Sequence, residues 1–340
     1  MDVGDGATTR VGRASSSWPL AALVALAALL NVAPVLGWVS GTAQFSTWFV
    51  RVTLPALALL IAIAVVATRR RGPGFDRVRR GVTLGTIGGI VGTLGYDLVR
   101  IPFVVLGLRV LAPIESYGVL LTGAESSTSL TAFAGWGYHF ANGICFGIAY
   151  AVIAPRAKVR WAVLWSLTLE TATIVTPFAS AYNLAGHYDL ISIAYGAHVP
   201  YGLGLGYVVA HGDEVIERLQ TIVKWPGLAA FGVLVVGLLV WLRPAAPYTA
   251  PPAVVLQGER FDHAWIRLAP GGCMDLTNKD DKTVKIAAAD GAPSVAAGTT
   301  APVCFSTPGI YRVKPSEAPY AGGFVLVDGE LPDRPHEAAA

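Results

Sequence analysis

The sequence predicts an α-helical polytopic membrane bundle, seven spans with the N-terminus inside and the C-terminus outside, followed by a small all-β sandwich. Three observations carry that prediction. Apolar residues make up 54% of the 340 residues and charged residues only 14%, whereas a soluble domain carries about a quarter charged. Seven apolar stretches are long enough to cross a bilayer, which takes about 20 helical residues for roughly 30 Å of hydrocarbon. Past residue 252 the apolar runs shorten to strand length, with turn residues between them. The same composition excludes a disordered chain and a nucleic-acid partner, since the net charge is +3 and no basic stripe occurs. Three cysteines are too few for a disulfide scaffold or a zinc-finger array.

After a tail at 1–17, the expected spans run near 18–38, 48–68, 82–108, 130–154, 160–182, 190–210 and 226–243, together the membrane domain 18–243. The first could pass for a signal peptide. Asn31, Pro34 and Trp38 stand where small cleavage-site residues belong, and further spans follow, so it is taken as a retained helix. Lys and Arg set the orientation. Arg10 and Arg13, the Arg69–Arg80 segment, the 156–160 segment, and Arg218 with Lys224 all fall on one side of a seven-span chain. The other side holds Arg51, Arg109 and Arg243, each at a span edge. This places the protein in the cell membrane as a multi-pass protein, its N-terminus cytoplasmic and everything after Arg243 extracytoplasmic. Segment 109–129, with Pro113, Glu115, Glu125 and the polar run Ser126–Ser129, is expected as an interfacial helix or a re-entrant loop on the outer face. Such backbone survives at membrane depth only where protein or water covers it.

Residues 244–252 are a stiff Pro-rich linker. Strands are then expected at 253–257, 261–268, 273–277, 283–287, 303–306, 310–314 and 324–327, forming a sandwich or small barrel over 253–330 with a tail at 331–340. The runs CMDLTNKD, VCFSTPGIYRV and GGFVLVDG resemble the cupredoxin fold of blue-copper proteins. That resemblance covers about a quarter of the chain and implies the fold alone. With Tyr311 on the family's tyrosine, the family's Cys, His and Met ligand positions fall at Pro315, Ala318 and near Ala321, and its earlier His falls around Lys282–Val284. Copper takes thiolate, imidazole and thioether ligands, so copper is not expected. The resemblance also makes Cys273 and Cys304 neighbours in an oxidising compartment, where a disulfide is expected. Two buried thiols are the alternative. Cys145, inside the fourth span, is a small apolar filler.

Ionisable groups in a bilayer cost at least roughly 2.5 kcal/mol each, so each is a functional candidate. Span 3 holds Asp97 and Arg100, span 4 His139 and Asn142, span 5 Glu170 and span 6 His198, with His187 and Asp189 at the outer edge. At about 1.5 Å per residue, Asp97 lies roughly 22 Å, Glu170 roughly 14 Å, His139 roughly 16 Å and His198 roughly 18 Å from the cytoplasmic edge. Four helices thus carry these groups at a common level, which predicts one shared polar site opening toward the outer half. Asp97 and Arg100 share a helix face, as do His139 and Asn142, and Tyr195, His198 and Tyr201. Pro200 with Gly202, Gly204 and Gly206 makes span 6 a candidate for kinking or unwinding. Gly81, Gly85 and Gly89, with Gly143 and Gly147, have the small-xxx-small spacing that lets helix backbones approach.

Three readings of the polar cluster are open. It is a register-fixing network in a structural subunit of a membrane complex, a site for a proton, ion or small polar solute, or an intramembrane metal site. In the last, His139, His198 and Glu170 would offer N/O ligands suited to zinc or iron and activate a water. No H-E-x-x-H motif supports it. The run AHVPYGLGLG resembles the His-bearing helix of rhomboid proteases, but no G-x-S-G stands on any span to supply the nucleophile. Whether the chain is an enzyme stays open. The expected partners are the bilayer and a membrane or extracytoplasmic protein, with the β domain capping the bundle's outer mouth or recruiting that protein.

Overall fold

The computed structural model describes residues 18–105, 110–182, 184, 188–222, 246–247, 253–258, 260–262, 265–313, 323–327 and 330–331. The expected seventh span at 226–243, the N-terminal tail, His187, His263, most of the Pro-rich linker and nearly all of the C-terminal tail lie outside them.

The helical part begins with α1 (Trp18–Leu29), which passes through a 3₁₀ turn at Leu30–Val32 into α2 (Ala33–Val39). A short α3 (Phe45–Trp48) continues through a π turn, Phe49–Thr53, into α4 (Leu54–Arg69). Then comes α5 (Pro73–Val105). Three helical stretches, Trp18–Val39, Phe45–Arg69 and Pro73–Val104, are long and apolar enough to cross a membrane. Leu26, Ile61 and Leu98 on these stretches are more than half exposed, an arrangement water would penalise and lipid does not. The helical part is a membrane domain.

The remaining helices are α6 (Ala112–Thr122), α7 (Ser129–Ile153), α8 (Val159–Ile174), α9 (Phe178–Ala181), α10 (Tyr188–Ala210) and α11 (Gly212–Ile222). Within the segment expected at 109–129, Ala112–Thr122 form a helix, α6, closed by Gly123 at φ 72°. The segment's polar run becomes the start of α7: Thr128 caps the helix, and its side chain and that of Thr131 form reciprocal hydrogen bonds with backbone N–H groups. Span 6 does not unwind, since α10 runs unbroken with Pro200 inside it.

Glycine decides which helices meet. A Cβ on Gly81, Gly85 or Gly89 would strike Val152, Ile148 or Gly143 and Ile144 of α7. A Cβ on Gly88 or Gly92 would strike Leu205 or Tyr201 of α10, and one on Gly95 would press on Pro200. Two glycine stripes thus seat α5 between α7 and α10. Gly202 and Gly206, on another face of α10, admit Val163 and Val159 of α8 in the same way. At the C-terminal end of α7, Arg77 donates from Nε to the Val152 carbonyl and from Nη2 to the Ile153 carbonyl, both at 2.8 Å, satisfying the helix's last turn. Arg80 pairs with Asp213 of α11 and holds that exposed carboxyl below its ordinary range.

The C-terminal region comprises β1 (Ala246–Pro247), β2 (Ala253–Gln257), β3 (Arg260–Phe261), β4 (Trp265–Leu268), β5 (Gly272–Asn278), β6 (Val284–Lys285), β7 (Ser294–Val295), β8 (Thr300–Phe305), β9 (Gly309–Val313), β10 (Gly323–Val327) and β11 (Glu330–Leu331). One sheet has the order β3-β2-β5-β8 and another β4-β10-β9. Both are mixed, with β2 parallel to β5 and β4 parallel to β10. Val254, Leu256, Met274, Leu276 and Val303 of the first sheet bury against Ile266, Leu268, Val325 and Val327 of the second. The expected strand 261–268 is two strands, because β3 pairs with β2 while β4 joins the other sheet. The two-residue β7 gave no sequence signal. Cys273 and Cys304 face each other across β5 and β8 and form a disulfide.

The β region docks on the membrane domain through backbone. The Ser127 N–H donates to the Ile310 carbonyl at 2.7 Å, and the Arg312 N–H to the Glu125 carbonyl at 2.8 Å. The Ile310 N–H donates to Ser127 Oγ at 2.8 Å. The loop between α6 and α7 thus adds itself to β9 as a short antiparallel bridge. Beside it, Trp38 of α2, Tyr182, Trp265 of β4 and Phe324 of β10 share one aromatic cluster.

Candidate functional site

The polar residues predicted on four separate helices converge on one cavity of about 320 Å³. α5 supplies Tyr96 and Arg100, α7 His139 and Asn142, α8 Glu170, and α10 His198, all lining it. Asp97 is fully buried behind that wall. Asp189 at the start of α10 also lines the cavity.

The cluster divides into two carboxylate–imidazole pairs. In the first, His139 Nε2 lies 3.0 and 3.1 Å from the two carboxylate oxygens of Asp97, and the Arg100 guanidinium lies 3.6 Å from the same carboxylate. In the second, His198 Nδ1 donates to the Ala194 carbonyl at 2.8 Å and lies 3.5 Å from Glu170 Oε2. The Tyr96 ring joins them, its centroid 5.9 Å from the His139 ring and 4.9 Å from the His198 ring. Arg100 lies over the same ring at 4.9 Å, a cation–π contact strengthened by desolvation. Ser166 of α8 donates to the His198 carbonyl at 2.6 Å, fixing α10 at the level of the site.

Asn142 accepts from Asn31 Nδ2 at 2.7 Å. Asn31 stands in the 3₁₀ turn between α1 and α2, and its carbonyl accepts from the Tyr138 hydroxyl at 2.7 Å. Asn31 was a missed site residue: a buried amide in an apolar span carries the same expense signal as the ionisable groups. Of the expected aromatic face on α10, Tyr201 donates to the Gly143 carbonyl at 2.7 Å, while Tyr195 turns to Thr171 at 2.9 Å.

His139, His198 and Glu170 are not gathered into a three-ligand set. Among the described residues no group of three His, Cys, Asp or Glu side chains is placed to hold a metal ion. The proposed ligands are divided between the two pairs, His139 with Asp97 and His198 with Glu170.

The cavity's far wall comes from the β region: Trp265, Ile266 and Arg267 of β4 and Leu326 of β10. Between the two ends the lining is largely aliphatic and aromatic, including Val35, Ile114, Leu169, Phe178 and Tyr182. A concave apolar volume of this size with a few convergent polar groups has the character of a small-molecule site.

No protein-family model and no curated protein sequence matches the chain. A chain from the cryo-EM structure of a heme-copper terminal oxidase dimer is similar over 33% of this chain and 99% of its own, at 18% identity and a TM-score of 0.17. A TM-score that low supports no inference about fold or function.

Proposed function

We propose that this is a seven-span membrane protein, N-terminus inside and C-terminus outside, that holds a proton or a small polar solute in its bundle beneath a copper-free, cupredoxin-like extracytoplasmic module. The orientation rests on the Lys and Arg distribution. Two mixed sheets sharing one core are compatible with the cupredoxin resemblance. The residues do not suit copper: Lys282, Thr283 and Val284 stand at the earlier ligand position, and the Lys282 carbonyl accepts from Asn278 Nδ2 at 2.7 Å. Positions 315, 318 and 321 lie outside the described residues and carry Pro, Ala and Ala.

One observation carries the reading. Two carboxylate–imidazole pairs from four helices border a single cavity whose outer wall is the β module. A network that merely fixed helix register would need no such volume beside it. Imidazole and carboxylate at mid-depth suit proton exchange with a bound solute.

The test is an organic extract of the purified protein, analysed by mass spectrometry. Wild type yields one small molecule at close to one per chain, and the His139→Ala/Glu170→Ala double variant yields far less. Equal yields from both, or no bound molecule together with no pH-driven proton flux in reconstituted vesicles, overturn the reading.

A further inference from the structure

The cavity's polar end states what kind of head group it takes. His139 Nε2 faces two carboxylate oxygens, which only accept, so that nitrogen carries the proton. His198 Nδ1 faces the Ala194 carbonyl and the Glu170 carboxylate, so it too carries the proton. These tautomers are assigned from the partners. In its neutral form each ring then has one nitrogen left, Nδ1 of His139 and Nε2 of His198, and each is an acceptor. Among the described residues neither has a hydrogen-bond partner. Both rings line the cavity and flank Tyr96. Arg100 supplies the complementary function. It is buried, lines the cavity, and meets its ionic partner Asp97 only at 3.6 Å, so its fork retains donors for a ligand oxygen.

Charge narrows the class further. The wall carries Arg100 and Arg267 with Glu170 and Asp189, and Asp97 lies behind Arg100, so the acidic groups already outnumber the basic ones by one. An anionic ligand would add to that excess in a low-dielectric space, and a cationic head would face Arg100. The rest of the cavity runs past Phe178 and Tyr182 to Trp265 and Leu326, an apolar tunnel for an apolar body.

We infer that the site binds an uncharged amphipathic molecule whose hydroxyl-type head donates to the free Nε2 of His198 and accepts from Arg100, with its apolar body lying under Trp265. This rests on the cavity being a solute site, and specifies the solute's class.

Three probes of matched body decide it: 4-hexylphenol, its methyl ether 4-hexylanisole and the anion 4-hexylbenzoate. Each is measured by equilibrium dialysis against nanodiscs with and without the full-length protein, reading only the saturable difference. The phenol binds about tenfold or more tighter than the ether, because the ether leaves the buried His198 acceptor unpaired. The benzoate binds more weakly than the phenol by a comparable factor. In His198→Leu the phenol's advantage over the ether shrinks several-fold while ether binding holds. Phenol and ether binding alike, or benzoate binding tightest, overturns the inference while leaving a solute site standing. No saturable binding of any of the three also overturns the inference, while the solute site itself stands or falls by the extraction and flux experiment. The wild-type comparison decides alone if the variant does not fold.

Discussion

Replacing Asp97 by Asn isolates one term in the buried cluster. Asn keeps the size of the side chain and an oxygen that accepts from His139 Nε2, so the 3.0 Å contact survives the change. What disappears is the charge facing Arg100 at 3.6 Å. At an effective dielectric of about 20, that Coulomb attraction is about 4.6 kcal/mol. Removing one member of a buried pair costs about 3–5 kcal/mol, because the other is left uncompensated. Asp97→Asn is therefore expected to destabilise the membrane domain by about 3–5 kcal/mol, measured by denaturant unfolding in mixed micelles. Asp97→Ala costs a further 1–3 kcal/mol or about that, since His139 also loses its acceptor. The informative variant is Asp97→Asn/Arg100→Met. It removes both charges and keeps an apolar stem over Tyr96, so it recovers most of the loss. A cost below about 1 kcal/mol for Asp97→Asn, or a double variant no better than the sum of its singles, would refute the assignment of Arg100 as dependent on this carboxylate.

Four further outcomes follow from particular contacts. Gly85→Leu separates α5 from α7, because a Cβ there strikes Ile148 backbone, whereas Gly137→Leu is tolerated because nothing lies within 4 Å; equal expression and thermal stability of the two would contradict the close packing. The Cys273–Cys304 bridge spans 31 residues, worth about 3.7 kcal/mol in loop-closure entropy. Reduction should lower the β region's calorimetric transition by on the order of 15–30 °C, and a shift of a few degrees would show that the unfolded chain gains little freedom. Ser127→Ala removes the acceptor for the Ile310 N–H, costing about 1 kcal/mol and speeding hydrogen exchange at Ile310; unchanged exchange there counts against the docking. Cysteines at Arg71 and Thr42 should label with an impermeant reagent from opposite sides of sealed vesicles, and labelling from one side would break the proposed topology.

Which residues gather at the cavity was legible from cost: Asp97, His139, Glu170 and His198 are polar groups in apolar runs, and helical rise alone put them at one level. Who pairs with whom was not. His139 belongs to Asp97 because Gly85 and Gly89 press α5 on α7, and His198 belongs to Glu170 because Gly202 and Gly206 press α10 on α8. The glycines were visible, but a small-xxx-small stripe does not name its partner helix. The break at Asn31 was hidden for a different reason. The residue interrupts α1 with a 3₁₀ turn, and a single amide in an apolar run does not mark where a helix breaks. In the β region, 253–257 matched β2 to the residue, while the parallel pairing of β4 with β10 depends on which strand reaches the second sheet. Alternation of apolar residues identifies strands and is silent on their partners.

The shared wall of the cavity has a thermodynamic consequence. Tyr96, His139 and His198 come from the membrane domain, while Trp265 and Arg267 come from the β region, and backbone bonds at Ser127 and Arg312 hold the two together. A solute touching both binds the docked state more tightly than the undocked one. It therefore stabilises docking by the same free energy by which docking raises its affinity. Weakening the Ser127–Ile310 contact must lower affinity at a site it never touches, and the bound solute must slow exchange at Ile310. If neither effect appears, the β region is a wall of the cavity in geometry alone and contributes nothing to what the cavity holds.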